Sequence, residues 1–521
     1  MKSMKKIICL VLAVLMLATV LVSCKKDAPT TDAQATEAGG GAAGTSASAG
    51  SADVSEETEE VWETDANGFV LDNIKDVDLG NKEIRILTGS NRMAENYVTS
   101  DDLTTQIKSA VFSRNQAVQV RLKCKLNFIS EPDGWENQAS YTEKAMSMST
   151  TNEVDLFAVY SLTTNTLMVN GVLADLLNND IIEFEKPWWN GKMVESCTLY
   201  DRMYFCTGEI SYSLIHALYI TMFNKDLAEY LNLPAYLQQT YGVDSLYDLV
   251  RSGEWTVDKM ITIAKQFYSD TDGLKNEGDT FGYVTSIVFM DAYWAGSGLR
   301  HLEKGGDGSI VISDDMSSQK ASDLSAMLLD FMKTPAAMVH GSFSTAEGDP
   351  VPQKFWKKGA ALLYGVTIDQ FMTEESFEMG VLPTPKYNTE QEEYLTCPGF
   401  GYAMWGIARS AANYEDLCYV LECLASESYR KTIPVYFEQM LLGRQDTQDD
   451  YEVLQTIRES IVVDGGRVMD KVFGSMTFYC FRGALAGGVE YAGYYAKYEE
   501  SLKEQAISLN SLVLNMEQLY S

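Results

Sequence analysis

Residues 208–229 read GEISYSLIHALYITMFNKDLAE, and this stretch decides how we expect the rest of the chain to fold. Its apolar side chains are too β-branched and aromatic for a surface helix, which predicts a buried strand. These side chains are Ile210, Leu214, Leu218, Ile220, Met222 and Phe223. Asn224 is suited to cap a following helix with Asp226 in its first turn, because a helix N-terminus carries partial positive charge. We therefore predict a strand that runs directly into a helix, where the chain crosses between two lobes.

The length of the chain, 521 residues, exceeds what a single hydrophobic core usually supports, so two lobes or domains are expected. From about residue 80 onward, strand patterns alternate with helix patterns, which favours an α/β fold with a mainly parallel sheet. The first predicted elements are a strand at 84–87, a helix at 103–121, a strand at 124–128, a helix at 137–148 and a strand at 154–160. In such folds the ligand crevice lies beyond the C-terminal strand ends, where Tyr160 and Ser161 stand.

The N-terminus has the pattern of a secretory signal peptide at residues 1–23. Lysines precede an apolar run at residues 7–22, and small residues then lead to Cys24. The sequence LVSC resembles a bacterial lipobox, in which Cys24 would receive lipid such as palmitate and become the first mature residue. A transmembrane helix is the alternative, but ~16 apolar residues are short for a bilayer span. We expect the protein on the extracellular face of the cell membrane, held there by a lipid anchor alone.

Charge and composition limit the partners of the chain. Residues 24–79 contain the lipidated cysteine and a flexible acidic linker with little to bury. The formal net charge is −32, from 41 Lys and Arg against 73 Asp and Glu. No nucleic-acid partner is expected, because phosphate binding needs clustered cations. Anionic ligands are disfavoured for the same reason, and most of the acidic side chains are expected on a solvated surface.

The cysteines show no disulfide or zinc pattern. Of nine cysteines, Cys9 falls in the signal peptide and Cys24 in the lipobox, which leaves seven, an odd number without any C-x-x-C spacing. Cys418 and Cys423 lie in a helical apolar pattern and are predicted to be small core residues. A single disulfide between residues 197 and 206 stays an open alternative.

The sequence lacks the equipment of the common enzyme classes. It has three histidines and no motif of a zinc hydrolase, nucleophile elbow, P-loop or dinucleotide fold. We therefore expect a protein that is not an enzyme and has neither cofactor nor bound metal. A secreted polysaccharide-active hydrolase or lyase is the alternative, since a glycosidase needs only two suitably spaced carboxylates. The acidic loop at residues 270–279 is the alternative to the expectation of no bound metal, because its carboxylates could hold calcium, but it lacks the spacing and the terminal Glu of an EF-hand.

Two groups of aromatic residues are candidates for stacking on a ligand. Trp188 and Trp189 are adjacent on a polar turn, where they either stack on a sugar or anchor a loop on the core. Residues 291–298, DAYWAGSG, place Tyr293 and Trp294 beside glycines, where a backbone can approach a ligand closely. Core packing is the alternative for this second pair as well.

Four stretches resemble the sugar-binding extracellular solute-binding lipoproteins of ABC importers, family 1. They are YITMFNKDL at 219–227, PWW at 187–189, FWKKGAALLYG at 355–365 and GVLPTP at 380–385. The resemblance covers most of residues 80–521 and implies a two-lobe periplasmic-binding-protein fold, type II, with three interlobe crossings. The stretch at 355–365 would return the chain to the first lobe. The implied lobes are 80–215 with 366–408, and 216–365 with 409–521.

The resemblance also implies a function and a site. A carbohydrate, most simply an oligosaccharide, would be captured in the interlobe cleft by hinge closure and passed to the permease subunits of an ABC importer. A monomer is expected, and a surface sensor subunit is an alternative to import. The candidate ligand-binding residues are Tyr160, Ser161, Glu209, Tyr212, Tyr293, Trp294, Tyr364, Thr367, Phe478 and Arg482. For Arg482, pairing with a protein carboxylate is the alternative to ligand binding.

Overall fold

The computed structural model describes residues 62–520 apart from 135, 274–277, 342–350 and 442–446. The predicted signal peptide, Cys24 and most of the linker lie outside these residues. Within this part of the chain, no helix is both long enough and apolar enough to cross a membrane. The strands are β1 Lys82–Gly89, β2 Cys124–Glu131, β3 Leu156–Tyr160, β4 Tyr219–Asn224, β5 Phe281–Ser286, β6 Leu302–Lys304, β7 Ile310–Ile312, β8 Ala337–His340, β9 Ala361–Thr367, β10 Met379–Leu382 and β11 Ala403–Ile407.

Helices surround these strands. In chain order they are α1 Met93–Asn96, α2 Gln106–Leu122, α3 Gln138–Thr150, α4 Ser161–Val169, α5 Gly191–Cys197, α6 Ser213–His216, α7 Lys225–Tyr230, α8 Leu233–Tyr241, α9 Leu246–Arg251, α10 Val257–Gln266, α11 Asp291–Gly296, α12 Gln319–Met332, α13 Val351–Lys357, α14 Tyr414–Leu441, α15 Thr447–Glu459, α16 Gly465–Val468, α17 Met476–Gly487, α18 Tyr491–Tyr495 and α19 Glu499–Tyr520.

The first sheet has four strands in the order β11-β3-β1-β2. β1 pairs in parallel with β2 and β3, and β11 runs antiparallel to β3. All five residues of β3, LFAVY, are buried, as predicted for a strand that is covered on both faces. Because β1, β2 and β3 are parallel, their C-terminal ends meet at one edge of the sheet.

The second sheet has five strands in the order β10-β4-β9-β5-β8. β5 pairs in parallel with β8 and β9, whereas β4 runs antiparallel to β9 and β10. The C-terminal ends of β5, β8, β9 and β10 therefore share an edge with the N-terminal end of β4. At this edge Tyr219 stands opposite Thr367.

The chain passes from the first sheet to the second and later returns to the first. β9 lies in the middle of the second sheet and β10 lies at its edge. Both strands therefore belong to the second sheet, and the chain has not yet returned to the first sheet at β10. The prediction that residues 355–365 return the chain to the first lobe is wrong, because β9 pairs with β4 and β5 instead. The return falls between Leu382 and Ala403, where β11 joins the first sheet.

The stretch at residues 208–229 is a strand only in its second half. β4 spans Tyr219–Asn224, and all six of its residues are buried. The apolar residues before it form a helical turn, Ser213–His216, where a strand was predicted. Tertiary hydrogen bonds favour this turn, since the backbone N–H of Ser213 donates to the buried carboxylate of Glu95 at 2.9 Å.

The helix after β4 begins as predicted. Asn224 has extended backbone angles, and its side-chain Oδ1 accepts a hydrogen bond from the backbone N–H of Leu227 at 2.9 Å. Asp226 lies in the first turn, where its charge stabilises the helix N-terminus. The local sequence therefore determines where this helix starts.

Tyr414–Leu441 forms one continuous helix although it contains Pro434. A proline inside a helix is unfavourable, because it lacks the N–H donor and clashes with the preceding turn. The helix packs along α2 and buries apolar side chains on both sides of the proline, which offsets a local cost of about 3 kcal/mol. These buried side chains include Leu421, Leu424, Ile433, Tyr436 and Met440.

The cysteines in the described residues are free and buried. Cys197 and Cys206 therefore do not form the disulfide that the sequence left open. Burial raises the pKa of the Cys197 thiol to about 12, so little of it is the reactive thiolate near neutral pH. These residues act as small apolar side chains in the core.

Candidate functional site

The edge of the first sheet presents a cation beside an aromatic ring. The Arg92 guanidinium lies 4.9 Å from the centroid of the Tyr160 ring, and it pairs with the buried carboxylate of Asp133. Ser161, the next residue after β3, donates a hydrogen bond from its Oγ to the backbone carbonyl of Phe400 at 2.7 Å. The end of β3 is thereby joined to the segment that returns from the second sheet.

A buried ion-pair triad lies near the edge of the second sheet. Asp291 is 3% exposed and begins α11, shortly after β5. It accepts hydrogen bonds from Nη1 of Arg467 at 2.7 Å and from Nε of Arg482 at 2.9 Å, and a second contact from Nη2 of Arg482. Burial by itself would raise the pKa of Asp291, but the two guanidinium groups hold it below its usual value.

Aromatic rings surround the two arginines of this triad. The Arg467 guanidinium lies 4.4 Å from the ring centroid of Phe400, 5.5 Å from that of Phe478 and 5.8 Å from that of Tyr219. The Arg482 guanidinium lies 4.5 Å from the centroid of Phe478. Stacking on ring faces and pairing with a carboxylate together fix the orientation of both guanidinium groups.

These side chains form one connected group, which we name the crevice cluster. It joins the edges of the two sheets through side chains from β4, from the returning segment and from the C-terminal helices. Its members are Arg92, Tyr160, Ser161, Tyr219, Asp291, Phe400, Arg467, Phe478 and Arg482.

A second aromatic group stands beside the first crossing. The ring of Tyr212 stacks on Tyr436 with a centroid distance of 4.9 Å. Nδ1 of His216 lies 3.0 Å from the hydroxyl of Tyr436, and its Nε2 lies 3.7 Å from Asp369. Burial lowers the pKa of His216, Asp369 partly offsets this, and the positive charge of Arg92 lowers the pKa further. Thr367 lies two residues before Asp369.

Three of the candidate aromatic residues lie inside the protein. Tyr293 is 2% exposed and donates a hydrogen bond to the hydroxyl of Tyr283 at 2.9 Å, and Trp294 is 1% exposed and stacks on His301. Tyr364 is 4% exposed and packs against Trp356. The space between Tyr293 and the second sheet is about 10 Å³, which is the size of one water molecule. These rings therefore pack in the core in this conformation.

Trp188 and Trp189 anchor their loop on the core. Their indole N–H groups donate to the two carboxylate oxygens of buried Glu422, at 3.0 and 2.9 Å respectively. Glu209 lies close to this pair and is bound by Arg458, outside the crevice cluster. Of the two alternatives for the tryptophans, the contacts agree with anchoring.

The acidic loop brings three carboxylates together. Oxygen atoms of Asp270, Asp272 and Asp279 lie within 4.8 Å of one another. Asp270 also accepts backbone hydrogen bonds from Asp272 at 3.0 Å and Gly273 at 2.6 Å, which accounts for much of the loop geometry. Residues 274–277, which include the predicted Glu277, lie outside the described part of the chain.

Comparison with known proteins identifies the architecture. No family model and no curated protein sequence matches the chain. A family 1 extracellular solute-binding protein from Bifidobacterium longum subsp. infantis is similar in structure, with a TM-score of 0.50 and 11% identity, over 82% of this chain and 100% of that chain. The chain has the fold of a family 1 extracellular solute-binding protein. The predicted two-lobe α/β fold is thereby confirmed.

Two further solved structures are similar to this solute-binding fold. UspC from M. tuberculosis has a TM-score of 0.50 and 11% identity, over 81% of this chain and 100% of that chain. The ABC substrate-binding protein Lmo0181 from Listeria monocytogenes, solved in complex with cycloalternan, has a TM-score of 0.49 and 14% identity, over 81% and 98% of the two chains.

Sequence reasoning found part of the crevice cluster of this solute-binding fold. Tyr160, Ser161, Phe478 and Arg482 were predicted, and the structure brings them together. Arg92, Tyr219, Phe400 and Arg467 were missed, and Asp291 was noted only as a neighbour of Tyr293. Local sequence gives little signal for these residues, because Arg467 and Asp291 are 176 positions apart in the chain.

Proposed function

We propose that this protein is a lipid-anchored extracellular solute-binding protein that captures a carbohydrate in the cleft between its lobes and delivers it to an ABC importer permease. The observation that carries the proposal is the crevice cluster, in which the edges of both sheets contribute aromatic rings and oriented polar groups to one place. A ligand held there contacts both lobes, so binding favours the closed arrangement over the open one.

A neutral carbohydrate suits this chemistry. Phe478 is 5% exposed in this conformation and Tyr479 is half-exposed, and opening of the lobes would offer both rings to the C–H surfaces of a sugar. Each charged group already contacts a partner of opposite sign, Asp291 with two arginines and Arg92 with Asp133, and the three arginines exceed the two carboxylates by one charge. The same groups can exchange hydrogen bonds with hydroxyl groups. An oligosaccharide would extend from this cluster along the crevice.

Binding without catalysis is favoured by the state of the carboxylates. A glycosidase needs one carboxyl group that is protonated near neutral pH as an acid. The one carboxylate in the crevice cluster is Asp291, which two guanidinium groups hold ionised. It is not suited to donate a proton, so we propose a binding protein and not a hydrolase or lyase.

The lobe limits are proposed from the strand pairings. The first lobe would contain β1, β2, β3 and β11 with the long helix Tyr414–Leu441, which packs along α2. The second lobe would contain the strands from β4 to β10 and the helices from α15 onward. We propose limits that differ in two places from those predicted from the sequence: residues 366–382 would belong to the second lobe, because they pair with its sheet, and residues 414–441 to the first.

A ligand screen tests the binding role. Thermal unfolding would be followed with monosaccharides, oligosaccharides, amino acids and peptides. A carbohydrate present at about a hundredfold over its dissociation constant should add about 2.7 kcal/mol to the free energy of unfolding. Stabilisation by peptides alone would contradict the carbohydrate assignment. New reducing ends released steadily from a polysaccharide would support the hydrolase alternative instead.

The anchor and the permease require tests in cells. Labelling with a palmitate analogue should mark the wild-type protein and leave Cys24→Ala unlabelled, with the variant released from the membrane. Deletion of the protein should abolish uptake of the carbohydrate found in the screen, and re-expression should restore it. Unchanged uptake, with loss of a transcriptional response to the same sugar, would favour the sensor alternative.

A further inference from the structure

A cavity stands beside the first crossing, and we name it the hinge cavity. Its volume is about 460 Å³, within the range of small-molecule sites. It is lined by the Pro-Trp-Trp loop, by the start of the crossing, by one residue of α14 and by one face of α15. The residues that carry its chemistry are Trp188, Trp189, Glu209, Tyr429, Gln455 and Arg458.

The hinge cavity is separate from the crevice cluster, because no residue lines both. Its walls come from both lobes. Tyr429 lies on α14, which packs along α2 beside the first sheet, whereas Gln455 and Arg458 lie on α15, which packs against β10 of the second sheet. Glu209 lies in the segment that connects the two sheets. A molecule in this cavity therefore contacts both lobes and the crossing at once.

One wall of the cavity is built rigidly. The two tryptophan indoles are fixed from behind by their hydrogen bonds to Glu422. Gly208 passes so close to the loop that a Cβ atom there would lie 2.2 Å from the carbonyl oxygen of Trp188, so only glycine fits without a shift. The next residue, Glu209, donates its backbone N–H to the same carbonyl at 2.8 Å. This wall exists before any ligand arrives, which lowers the entropic cost of binding.

The polar part of the cavity has unused hydrogen-bonding capacity. Arg458 directs both Nε and Nη2 to one oxygen of Glu209, Oε1, at 2.6 Å. The other oxygen, Oε2, is buried and has no hydrogen-bond partner among the described protein atoms. A carboxylate oxygen without a donor is costly, and a guanidinium carries more N–H groups than this contact uses.

The charged and aromatic side chains that line the hinge cavity favour one class of ligand. Four charged side chains line the cavity, Glu209 and Glu459 against Lys192 and Arg458, and their charges sum to zero, so a charged ligand would upset this balance. A neutral cyclic polyol supplies hydroxyl donors for a carboxylate, oxygen acceptors for the guanidinium and a C–H face for the partly exposed ring of Tyr429. We propose that the hinge cavity binds a neutral sugar ring or a similar cyclic polyol, as a second site apart from the crevice. This site does not depend on which ligand the crevice takes.

Fluorine NMR of the full chain labelled with 5-fluorotryptophan tests the proposal. The signals of Trp188 and Trp189 are assigned from single Trp→Phe variants, and D-glucose, D-galactose and myo-inositol serve as neutral probes. D-glucuronate and D-glucosamine serve as charged probes of similar size. All titrations are repeated in a Phe478→Ala/Arg482→Ala background, in which the crevice cluster is disrupted.

At least one neutral probe should shift the two signals in a saturable manner in both backgrounds. Gln455→Phe, which fills the cavity from the partly exposed face of α15, should abolish the shift, while Gln448→Phe on the same helix outside the cavity should keep it. Glu209→Gln should weaken binding about tenfold or more, by loss of a charge-assisted hydrogen bond.

Several results would overturn the hinge-cavity site. The first two are no change in the tryptophan signals with any neutral probe, and a response to the charged probes alone. The other two are a signal shift that disappears when the crevice cluster is disrupted, and a signal shift that persists in Gln455→Phe. If Gln455→Phe does not fold, Glu209→Gln decides, and unchanged affinity in that variant counts against the site. A crevice that binds no carbohydrate would refute the proposed function without affecting this result.

Discussion

Replacing Asp291 by asparagine should test the centre of the crevice cluster. The carboxylate receives N–H groups from both Arg467 and Arg482 and is buried, while asparagine keeps a single acceptor oxygen. The variant therefore loses about two charge-assisted hydrogen bonds of about 1.5–3 kcal/mol each and leaves buried positive charge unbalanced. Breaking a buried ion pair in this way costs about 3–5 kcal/mol. That is a large part of a typical folding free energy of about 5–15 kcal/mol, and a wild type above the lower end of this range stays folded after such a loss.

Urea unfolding followed by tryptophan fluorescence measures this loss. The matched control is Asp330→Asn, since Asp330 is 79% exposed and lies 3.6 Å from Lys333, and a surface pair of this kind contributes at most about 1 kcal/mol. A loss in Asp291→Asn of less than about 1 kcal/mol, or one equal to the control, would refute the view that the triad organises the crevice. Carbohydrate affinity should fall at least tenfold in Asp291→Asn and stay unchanged in the control.

Wild type and Asp291→Asn should also differ in how their free energy of unfolding depends on pH. The pKa of Asp291 is lower in the folded protein than the ordinary value of 3.8. The folded state therefore gains stability from the ionised carboxylate above about pH 4, and this gain disappears as the pH falls through the lowered pKa. The stability difference between wild type and Asp291→Asn should shrink in acid. A difference that stays constant down to low pH would show that the charge of Asp291 does not stabilise the fold.

Three further predictions follow from the contacts. Phe478→Ala should weaken carbohydrate binding about tenfold, or about 1.4 kcal/mol, while Tyr230→Ala at an 84% exposed position should have no effect in the same titration. Burial raises the pKa of Glu422 to about 8, so between about pH 5 and 8 the folded protein keeps a proton that the unfolded chain releases. The unfolding free energy of the wild type should therefore fall relative to that of Glu422→Gln across this range, by up to about 1.4 kcal/mol per pH unit. Tyr212→Ala should weaken ligand binding, whereas Phe223→Leu should cost less stability than the about 3–5 kcal/mol of a Phe→Ala change and leave affinity unchanged, and the reverse pattern would contradict this assignment.

Local chemistry explains what could be predicted from the sequence. The Asn224 cap and the buried strand at β3 depend on neighbouring residues, so a short window of sequence contains the whole cause. The two-lobe fold followed from resemblance and from the alternation of strands with helices. The apolar run before Tyr219 was assigned to a strand because its composition suits one, and only a distant partner, Glu95, favours the turn that forms.

The site was harder to predict than the fold, for a physical reason. Aromatic residues beside glycines suit a ligand surface and a packed core equally well, so the sequence could not decide the role of Tyr293 and Trp294. Contacts with His301 and Tyr283, supplied by other elements, bury both rings. The ion-pair triad is set by pairings across 176 and 191 positions, which no periodic pattern contains.

The position of Arg467 suggests how the crevice could sense the angle between the lobes. Its guanidinium touches Tyr219 at the start of β4, Phe400 on the segment that returns to the first sheet, and Asp291 in the second lobe. Any rotation of one lobe against the other must change at least one of these contacts. A ligand can shift the equilibrium between open and closed states only by its difference in affinity for them. A ligand hydroxyl group would bridge Arg467 and the first-sheet residue Tyr160 only in the closed state. The arginine that orients the cluster would then also supply the difference in affinity between the two states.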